Sequence, residues 1–427
     1  MEVKITGGKS LQGTFKVPGD KSISHRSVML GAMARGTTEV SGFLTGEDCL
    51  STINCFRALG VDISLNKTDL TIHGTGKLSA PAGVLDVGNS GTTLRLMTGL
   101  LAGQSFTSTV TGDNSIQKRP MKRVVDPLSL MGAKISGIYA PITIEGAREN
   151  TGLKGIRYTM PVASAQVKSA ILLAGLYANG ETIIEEPVPT RDHTEIMLKY
   201  LGADITKSGN CITVCKCRLK AMPISVPGDI SSAAFLLAAA AILPGSHITI
   251  QGVGVNPTRT GIIHVLKRMG ADIHLHNPRI SCGEAVADIE IKYTPNLKGT
   301  TVSGSEIPTL IDEIPAIAAA ALFAQGITEI KDAAELRIKE TDRIQVVAEE
   351  YNKFFSGKKY IETKEDGMVI HGNANNILNG AKVSSRGDHR MAMSLSVLAL
   401  AAAGESIIHN AECADISFPG FYQLLWQ

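Results

Sequence analysis

The sequence predicts an α/β fold of two domains, each built from three strand–helix repeats around buried parallel helices. Two observations carry this prediction. First, six apolar stretches of helical length each open on polar residues and close near a glycine that precedes a strand-like run. These glycines lie 65 to 81 residues apart, a longer spacing than in solenoid repeats. Second, the segment VPGD occurs at Val17 and again at Val226, and so marks the start of each set of three.

The first repeat opens on the segment VPGDKSISHR, in which Asp20 is a candidate helix cap. The apolar run that follows predicts a buried helix. A helix N-terminus carries unpaired backbone N–H groups and a partial positive charge. Because Lys21, Ser22 and Arg26 add their own donors at this point, the segment predicts an anion site. A capped surface helix is the alternative.

Polar residues open the other five apolar helices as well. They are Asn89, Ser90 and Gly91; Ser164 and Gln166; Asp229, Ser231 and Ser232; Asp312 and Glu313; and Asp388, His389 and Arg390. The glycines predicted to end the six helices are Gly36, Gly103, Gly180, Gly245, Gly326 and Gly404. If both domains direct these helix starts at a shared cleft, their partial charges favour a small ligand with several negative charges.

A second helix and strand follow in most repeats, as in FRALGVDISL, LSLMGAKISG, LKYLGADITK and LKRMGADIHL. Each repeat is therefore expected to run strand–helix–strand–helix–strand. We expect one domain over residues 17–225 and a second over residues 226–427. The N-terminal strand, within residues 1–16, is expected to cross to the second domain.

Composition excludes several function classes. The net charge of +2 and the aromatic content of 4% argue against a nucleic-acid binder. The longest apolar run, Ala233–Leu243, is too short to span a membrane, and the N-terminus has no apolar signal region, so we expect a soluble, cytoplasmic protein. Cys211, Cys215 and Cys217 alternate on a predicted strand, where small apolar packing is favoured over the start of a zinc site. No metal is predicted.

Three further charged clusters lie between the repeats, at Gln117–Arg123, Thr190–His193 and Leu336–Arg343. A solvated turn would be the ordinary explanation for any one of them. Asp312 and Glu340 differ, because they are carboxylates placed among the cations of a predicted anion site. Such groups weaken anion binding unless they transfer protons, so the pair predicts a reaction with one acid and one base.

The motifs GDKSISHR, GNSGTTLRL, KRPM, ASAQVKSA, IDEIP, KETDR and GDHRMAM resemble those of the enolpyruvyltransferase family, over essentially the whole chain. The resemblance implies an inside-out α/β architecture, in which two domains of three βαβαββ-like units close on the substrates. It implies transfer of the enolpyruvyl group of phosphoenolpyruvate to the 5-hydroxyl of shikimate 3-phosphate, by addition and elimination with release of phosphate. It also implies sensitivity to glyphosate, a monomer, and no cofactor, nucleic-acid or membrane partner.

The resemblance also implies roles for individual residues. The shikimate 3-phosphate site would comprise Lys21, Ser22, Arg26, Ser164, Ala165, Gln166, Thr190, Arg191, Asp312 and Lys339. The phosphoenolpyruvate site would comprise Lys21, Gly91, Arg119, Gln166, Arg343 and Arg390. The catalytic residues would be Lys21, Asp312 and Glu340. Our hypothesis is that Glu340 is the acid and later the base at carbon, and that Asp312 is the base for the hydroxyl.

Four positions depart from the family's usual residues. Leu96 stands where many members have proline, Ala165 replaces a serine, Glu335 an asparagine, and Ile416 a lysine that can touch phosphoenolpyruvate. Leu96 therefore predicts altered sensitivity to glyphosate, which competes for the phosphoenolpyruvate site.

Three other functions were weighed. A sister enzyme that acts on a UDP-amino sugar uses a cysteine near KRPM, but residues 104–123 contain none. A non-catalytic sugar-phosphate binder would not need Glu340 between Lys339 and Arg343. A cyclase of RNA phosphate esters is disfavoured by the nearly neutral charge and the few aromatic residues.

Overall fold

The protein divides into two compact units. The structure is a computed structural model that describes residues 1–146, 152–356, 358–375 and 377–426. The N unit comprises Gly19–Val226 and Ser281–Glu284, and the C unit comprises Met1–Pro18, Pro227–Ile280 and Ala285–Gln427. Each unit has a hydrophobic core of its own.

In the described ranges the helices, α1 to α12 in chain order, are Lys21–Met33, Glu47–Ala58, Gly91–Ala102, Lys122–Leu130, Ala165–Gly175, His193–Tyr200, Ile230–Ile242, Gly261–Arg268, Ile314–Ala321, Arg343–Tyr351, His389–Ala401 and Phe421–Leu425. Short 3₁₀ helices cover Ile116–Lys118, Gly304–Thr309, Ala334–Ile338, Asn352–Phe355 and Ala411–Ile416. None of the helices in this described part of the chain has the length and apolar character needed to span a bilayer.

The strands of the same ranges, β1 to β26 in chain order, are Glu2–Thr6, Gln12–Phe15, Ala34–Ser41, Asp62–Asn66, Asp69–Thr75, Leu85–Asp86, Ser108–Thr111, Lys134–Ser136, Ile142–Glu145, Arg157–Thr159, Thr182–Glu185, Ile205–Ser208, Cys211–Val214, Leu219–Lys220, Ile224–Ser225, His247–Gly254, Asp272–Ser281, Glu284–Lys292, Thr301–Val302, Gly326–Ile330, Ile361–Thr363, Met368–Gly372, Leu378–Asn379, Lys382–Ser384, Ala402–Ala403 and Glu405–His409.

The sheets repeat one mixed pattern, in which a parallel pair is extended by antiparallel strands. In the N unit, β10 runs parallel to β11, which pairs antiparallel with β13, and β6, β7 and β9 follow the same plan. In the C unit, β19, β20 and β22 follow it again. This periodic arrangement confirms the predicted α/β fold class.

Strands from distant parts of the sequence complete three of the sheets. In the N unit, β14 and β15 pair parallel with β3. In the C unit, β2 pairs parallel with β16, and β1 pairs antiparallel with β26, so that Glu2 lies opposite His409. Each unit is therefore closed by residues far along the chain from the strands that they join.

The six apolar helices form the two cores. In the N unit α3 packs against α1 and α5, and in the C unit α7, α9 and α11 pack against one another. All thirteen residues of α7 are buried, as expected for a helix that is apolar on every face. Gly99 lets α3 approach α5 closely, since a Cβ there would lie 2.1 Å from the carbonyl oxygen of Ala170.

The predicted helix-ending role is wrong for most of the repeat glycines. Gly103 caps α3, but α1 ends at Met33 and Gly36 lies inside β3 with φ +115°. Gly326 is likewise the first residue of β20, with φ +95°. These glycines supply the left-handed backbone with which the strand after the helix begins, not the end of the helix itself.

The placement of the three cysteines on one strand is also wrong. β13 ends at Val214 because both of its partner strands pair with it only that far, so Cys215 and Cys217 lie beyond it. Within the described ranges, no group of three or more His, Cys, Asp and Glu side chains is arranged to hold a metal ion.

Candidate active site

The first turn of α1 carries a half-buried cation. Asp20 caps this helix, and its carboxylate accepts the backbone N–H of Ile23 at 2.9 Å. Lys21 is the first helical residue and forms an ion pair with Asp48 in the first turn of α2. Because the Lys21 side chain is 21% exposed, its ammonium group is both held in place and accessible.

Arg26 lies one turn further along and is buried. Its Nη1 donates to the carbonyl of Ser22 at 2.9 Å, its Nη2 to Ser169 Oγ at 2.9 Å, and its Nε to Thr194 Oγ1 at 2.7 Å. Burial lowers the pKa of Arg26 to about 10, with Glu195 acting against the shift, so the group stays protonated at neutral pH. One fixed cation thus joins α1, α5 and α6 near their N-terminal ends.

His25 has a structural environment. Its Nδ1 lies 2.7 Å from Thr52 Oγ1, which in turn lies 2.7 Å from Thr93 Oγ1, so the ring links α1 through α2 to α3. Burial lowers the pKa of His25 to about 3, with Asp48 acting against the shift. The imidazole is therefore neutral at physiological pH.

Two guanidinium groups flank the start of α3. A Cβ at Gly91 would lie 3.2 Å from Arg119 Nη1 and 4.0 Å from Arg95 Nη1. Gln166 of α5 accepts a hydrogen bond from Arg95 and donates one to Thr92 Oγ1 at 3.0 Å. Arginines beside the first N–H groups of a helix are suited to a phosphate or a carboxylate.

The remaining predicted residues of the N unit lie at the start of α5 and before α6. Ser164 caps α5, and its hydroxyl accepts the backbone N–H three residues on at 3.4 Å, while Ala165 is the first helical residue. Thr190 is 4% exposed and donates its hydroxyl proton to Glu186, so this side chain holds its own loop. Arg191, the next residue, is half-buried.

In the C unit, Arg343 lies at the centre of three carboxylates. Its Nε and Nη2 contact Asp388 at 2.8 and 3.3 Å, its Nη1 contacts Asp312 at 3.2 Å, and its Nη2 contacts Glu340 at 2.7 Å. Burial lowers the pKa of Arg343, but Asp388, Glu340 and Asp312 outweigh it and hold the pKa above its usual value. Burial would likewise raise the pKa of Asp388, but Arg343 holds that pKa below its usual range.

Asp312 is surrounded by cations. Lys339 Nζ lies 3.4 Å and Arg343 Nη1 3.2 Å from its Oδ1, and Arg390 Nη2 lies 3.9 Å from its Oδ2. Arg390 also donates from Nη1 to the backbone carbonyl of Asp312 at 3.0 Å. The structure thus brings together all five predicted site residues of the C unit: Asp312, Lys339, Glu340, Arg343 and Arg390.

A buried network continues behind this cluster. Glu313, which is completely buried, accepts a hydrogen bond from Ser231 and lies 3.6 Å from Arg390 Nη1. Arg259 donates to Ser231 Oγ at 2.7 Å and to Asp229 at 3.2 Å. The polar openings of α7, α9 and α11 therefore meet in one hydrogen-bonded network.

Sequence reasoning missed two arginines of these networks. Arg95 stands four residues after Gly91, so the 3.6-residue period of a helix could have placed both residues on one face. Arg259 lies in the segment GVGVNPTRTG, which matches no known phosphate-binding pattern and gave no signal.

Three of the residues that depart from the family's usual ones have the following environments. Leu96 is fully buried in α3. Ile416 packs against the core of the C unit, and an isoleucine cannot supply the positive charge of the lysine that it replaces. Glu335 is half-buried in the 3₁₀ helix Ala334–Ile338.

Comparison with known proteins decides the family. The profile described as EPSP synthase (3-phosphoshikimate 1-carboxyvinyltransferase) matches residues 5–425. The chain belongs to the EPSP synthase family. This member of the EPSP synthase family is similar to the 3-phosphoshikimate 1-carboxyvinyltransferase of Thermoanaerobacter sp., with 54% identity over 99% of both chains. It is 53% identical to that of Desulforamulus reducens, over 100% of this chain and 99% of the relative.

Solved structures agree with this assignment. EPSP synthase from Acinetobacter baumannii superposes on this EPSP synthase family member with a TM-score of 0.88 and 48% identity, over 99% of this chain and 97% of that one. The enolpyruvyl transferase NikO from Streptomyces tendae has a TM-score of 0.80 at 17% identity, over 99% and 96% of the two chains, and so shares the fold.

Proposed function

We propose that this protein transfers the enolpyruvyl group of phosphoenolpyruvate to the 5-hydroxyl of shikimate 3-phosphate and releases phosphate. The observation that carries the proposal is the cluster of Asp312 and Glu340 with Lys339, Arg343 and Arg390, in which two carboxylates stand among cations. Membership of the EPSP synthase family supports the same reaction.

The binding roles follow from charge and position. Shikimate 3-phosphate is bound by residues at the starts of α1 and α5 and before α6 in the N unit, and by two residues of the C unit: Lys21, Ser22, Arg26, Ser164, Ala165, Gln166, Thr190, Arg191, Asp312 and Lys339. Phosphoenolpyruvate is bound by a set of six residues, half of them arginines: Lys21, Gly91, Arg119, Gln166, Arg343 and Arg390. Arginine forks suit the paired oxygens of phosphate and carboxylate, which accounts for their number. Arg95, beside Gly91, orients Gln166 through its hydrogen bond to the side-chain amide.

The chemistry requires two proton transfers at the start. Glu340 donates a proton to the methylene carbon of phosphoenolpyruvate, which leaves cationic character at C2. The 5-hydroxyl attacks C2 as Asp312 takes its proton, so a C–O bond forms and a tetrahedral adduct results. The C–O bond to phosphate then breaks, and the departing phosphate takes up the proton held by Asp312. Glu340 removes a methyl proton, and the double bond returns. Lys339, Arg343 and Arg390 stabilise the negative charge on Asp312 as the hydroxyl approaches.

Phosphate release with two acceptors tests the proposal. The protein is supplied with phosphoenolpyruvate and either shikimate 3-phosphate or UDP-N-acetylglucosamine. Turnover with shikimate 3-phosphate alone is expected. Turnover with the UDP-sugar alone would reassign the acceptor, and a folded protein that is inactive with both would leave only a binding role.

Substitution of Gly91 by alanine is expected to weaken the binding of phosphoenolpyruvate but not that of shikimate 3-phosphate. The new Cβ would lie 3.2 Å from Arg119 Nη1, so this guanidinium must shift by a few tenths of an ångström. We expect KM for phosphoenolpyruvate to rise about tenfold and KM for shikimate 3-phosphate to change by less than about twofold. Gly83→Ala is the matched control, since its Cβ would meet nothing within 4 Å. Equal changes in both KM values would contradict the proposed division of the sites.

Three expectations stay predictions. Sensitivity to glyphosate is expected to be altered because Leu96 is buried in α3, five residues after Gly91. An inhibition constant equal to that of a relative with proline at this position would refute it. The monomeric state is checked by size-exclusion chromatography with light scattering, and the cytoplasmic location by cell fractionation.

A further inference from the structure

Lys168 is a buried cation outside the proposed substrate-binding set. It lies on α5, two residues after Gln166, and its side chain is fully buried. Its Nζ lies 2.6 Å from Glu195 Oε1 and 3.1 Å from Glu186 Oε2, and donates to the backbone carbonyl of Thr190 at 3.3 Å. One ammonium group thus reaches three points of the segment from Glu186 to Glu195.

That segment contains the residues proposed to face shikimate 3-phosphate from this side. Glu186 accepts the backbone N–H of Thr190 at 3.2 Å, as well as its hydroxyl proton. Arg191 follows directly, and Glu195 lies in the first turn of α6. The carboxylates held by Lys168 therefore bracket the Thr190–Arg191 pair on both sides.

The backbone of Lys168 lies near the start of α5, beside the residues that open this helix. The backbone N–H of Lys168 donates to the carbonyl of Ser164 at 3.0 Å, one turn from the cap of the helix. Next to it, Ser169 Oγ lies 2.7 Å from Thr194 Oγ1 and accepts a hydrogen bond from Arg26 Nη2. Lys168 thus joins two segments that carry proposed shikimate 3-phosphate contacts.

Four buried charged side chains lie in this region. Lys168 and Arg26 are cations, Glu186 and Glu195 are carboxylates, and all four are at most 8% exposed. Burial raises the pKa of Glu195, and Lys168 acts against that shift. Well-packed apolar side chains often stabilise a fold as well as a buried ion pair does, so stability alone does not explain such a group.

We propose that Lys168 is a positioning residue for shikimate 3-phosphate, which fixes the Thr190–Arg191 pair relative to the start of α5. The inference rests on the proposed function. It predicts that loss of the ammonium group weakens the shikimate 3-phosphate interaction through displacement of the segment, while Arg95 and Arg119 stay beside Gly91 and Arg95 keeps its contact with Gln166.

The test is the steady-state kinetics of Lys168→Met beside the wild type, with each substrate varied in turn. We expect KM for shikimate 3-phosphate to rise at least about tenfold and KM for phosphoenolpyruvate to stay within about twofold. Leu173→Ala on the same helix, also buried, is the matched control: its melting temperature should fall, but neither KM should change. Unchanged KM values in a folded Lys168→Met protein, or equal rises in both, would overturn the proposal.

Two further measurements keep the outcomes separable. If Lys168→Met does not fold, Glu186→Gln is used instead, because it leaves Lys168 paired with Glu195. This variant is expected to raise KM for shikimate 3-phosphate alone. An unchanged ratio of the two KM values would overturn the proposal. Wild-type turnover in the same assay tests the proposed function independently. An active wild type with an insensitive variant refutes only the role of Lys168, whereas an inactive wild type refutes the function.

Discussion

Replacement of Glu340 by glutamine is expected to lower kcat by roughly 10³-fold, because an amide can neither donate nor remove a proton at carbon. Arg343 keeps its contacts with Asp388 and Asp312 in this variant, so the local fold should persist. The measurement is phosphate release at saturating concentrations of both substrates, together with circular dichroism and the melting temperature.

Asp312→Asn is the companion variant. Its kcat should fall by about 10²-fold or more because the acceptor hydroxyl loses its base. Glu349→Gln is the matched control, since Glu349 lies on the same helix as Arg343 but pairs with Arg386 at the surface. If Glu340→Gln and Asp312→Asn both retained full turnover, the acid–base assignment would be wrong.

Acid should destabilise the N unit through His25. Its pKa falls from 6.5 to about 3 on folding, so between these values the unfolded state binds a proton that the folded state does not. The free energy of unfolding is therefore not reduced by His25 above pH 6.5, and it declines as the pH decreases below this value. Each pH unit costs about 1.4 kcal/mol, so the loss over the whole window is on the order of 5 kcal/mol.

Urea denaturation at a series of pH values measures this effect. The informative interval is from about pH 6.5 to about pH 5, above the range in which most carboxylates titrate, where about 2 kcal/mol should be lost. His25→Asn keeps a hydrogen-bonding group near Thr52 but cannot be protonated, so its stability should be nearly flat over this interval. His264→Asn, at an exposed position, should behave as the wild type does. A wild type with flat stability in this interval would refute the prediction.

The fold could be predicted because its signals are local and repeated. Each apolar helix is marked in the sequence by polar residues at its start and by the apolar run that follows. Six such runs predict two cores. The positions of β1 and β2 could only be guessed, because no local pattern says which distant strand will pair with them. The glycines misled for a related reason: a glycine after a helix can end it or begin the next strand, and only the strand pairing decides.

The candidate site was predictable where charges stand out from their surroundings. Asp312 and Glu340 are conspicuous beside Lys339 and Arg343 in the sequence. Most of the contacts within the two clusters were not predictable, because the partners are far apart along the chain. Asp388 meets Arg343 over 45 residues, and Arg26 meets Thr194 over 168 residues. Lys168 lies at the start of an apolar run, where nothing indicates that two carboxylates will neutralise it.

The pairing of β1 with β26 constrains how the protein can be made. Translation produces Glu2 long before its partner His409, because the two residues lie far apart along the chain. The sheet that contains β26 therefore cannot close until His409 has been made, and β1 must wait for its partner. The N unit, whose closing strands end at Ser225, has its partners much earlier. The C unit is thus completed late, by a long-range pairing. Until β1 and β26 pair, each strand has an unpaired edge that can associate with other chains.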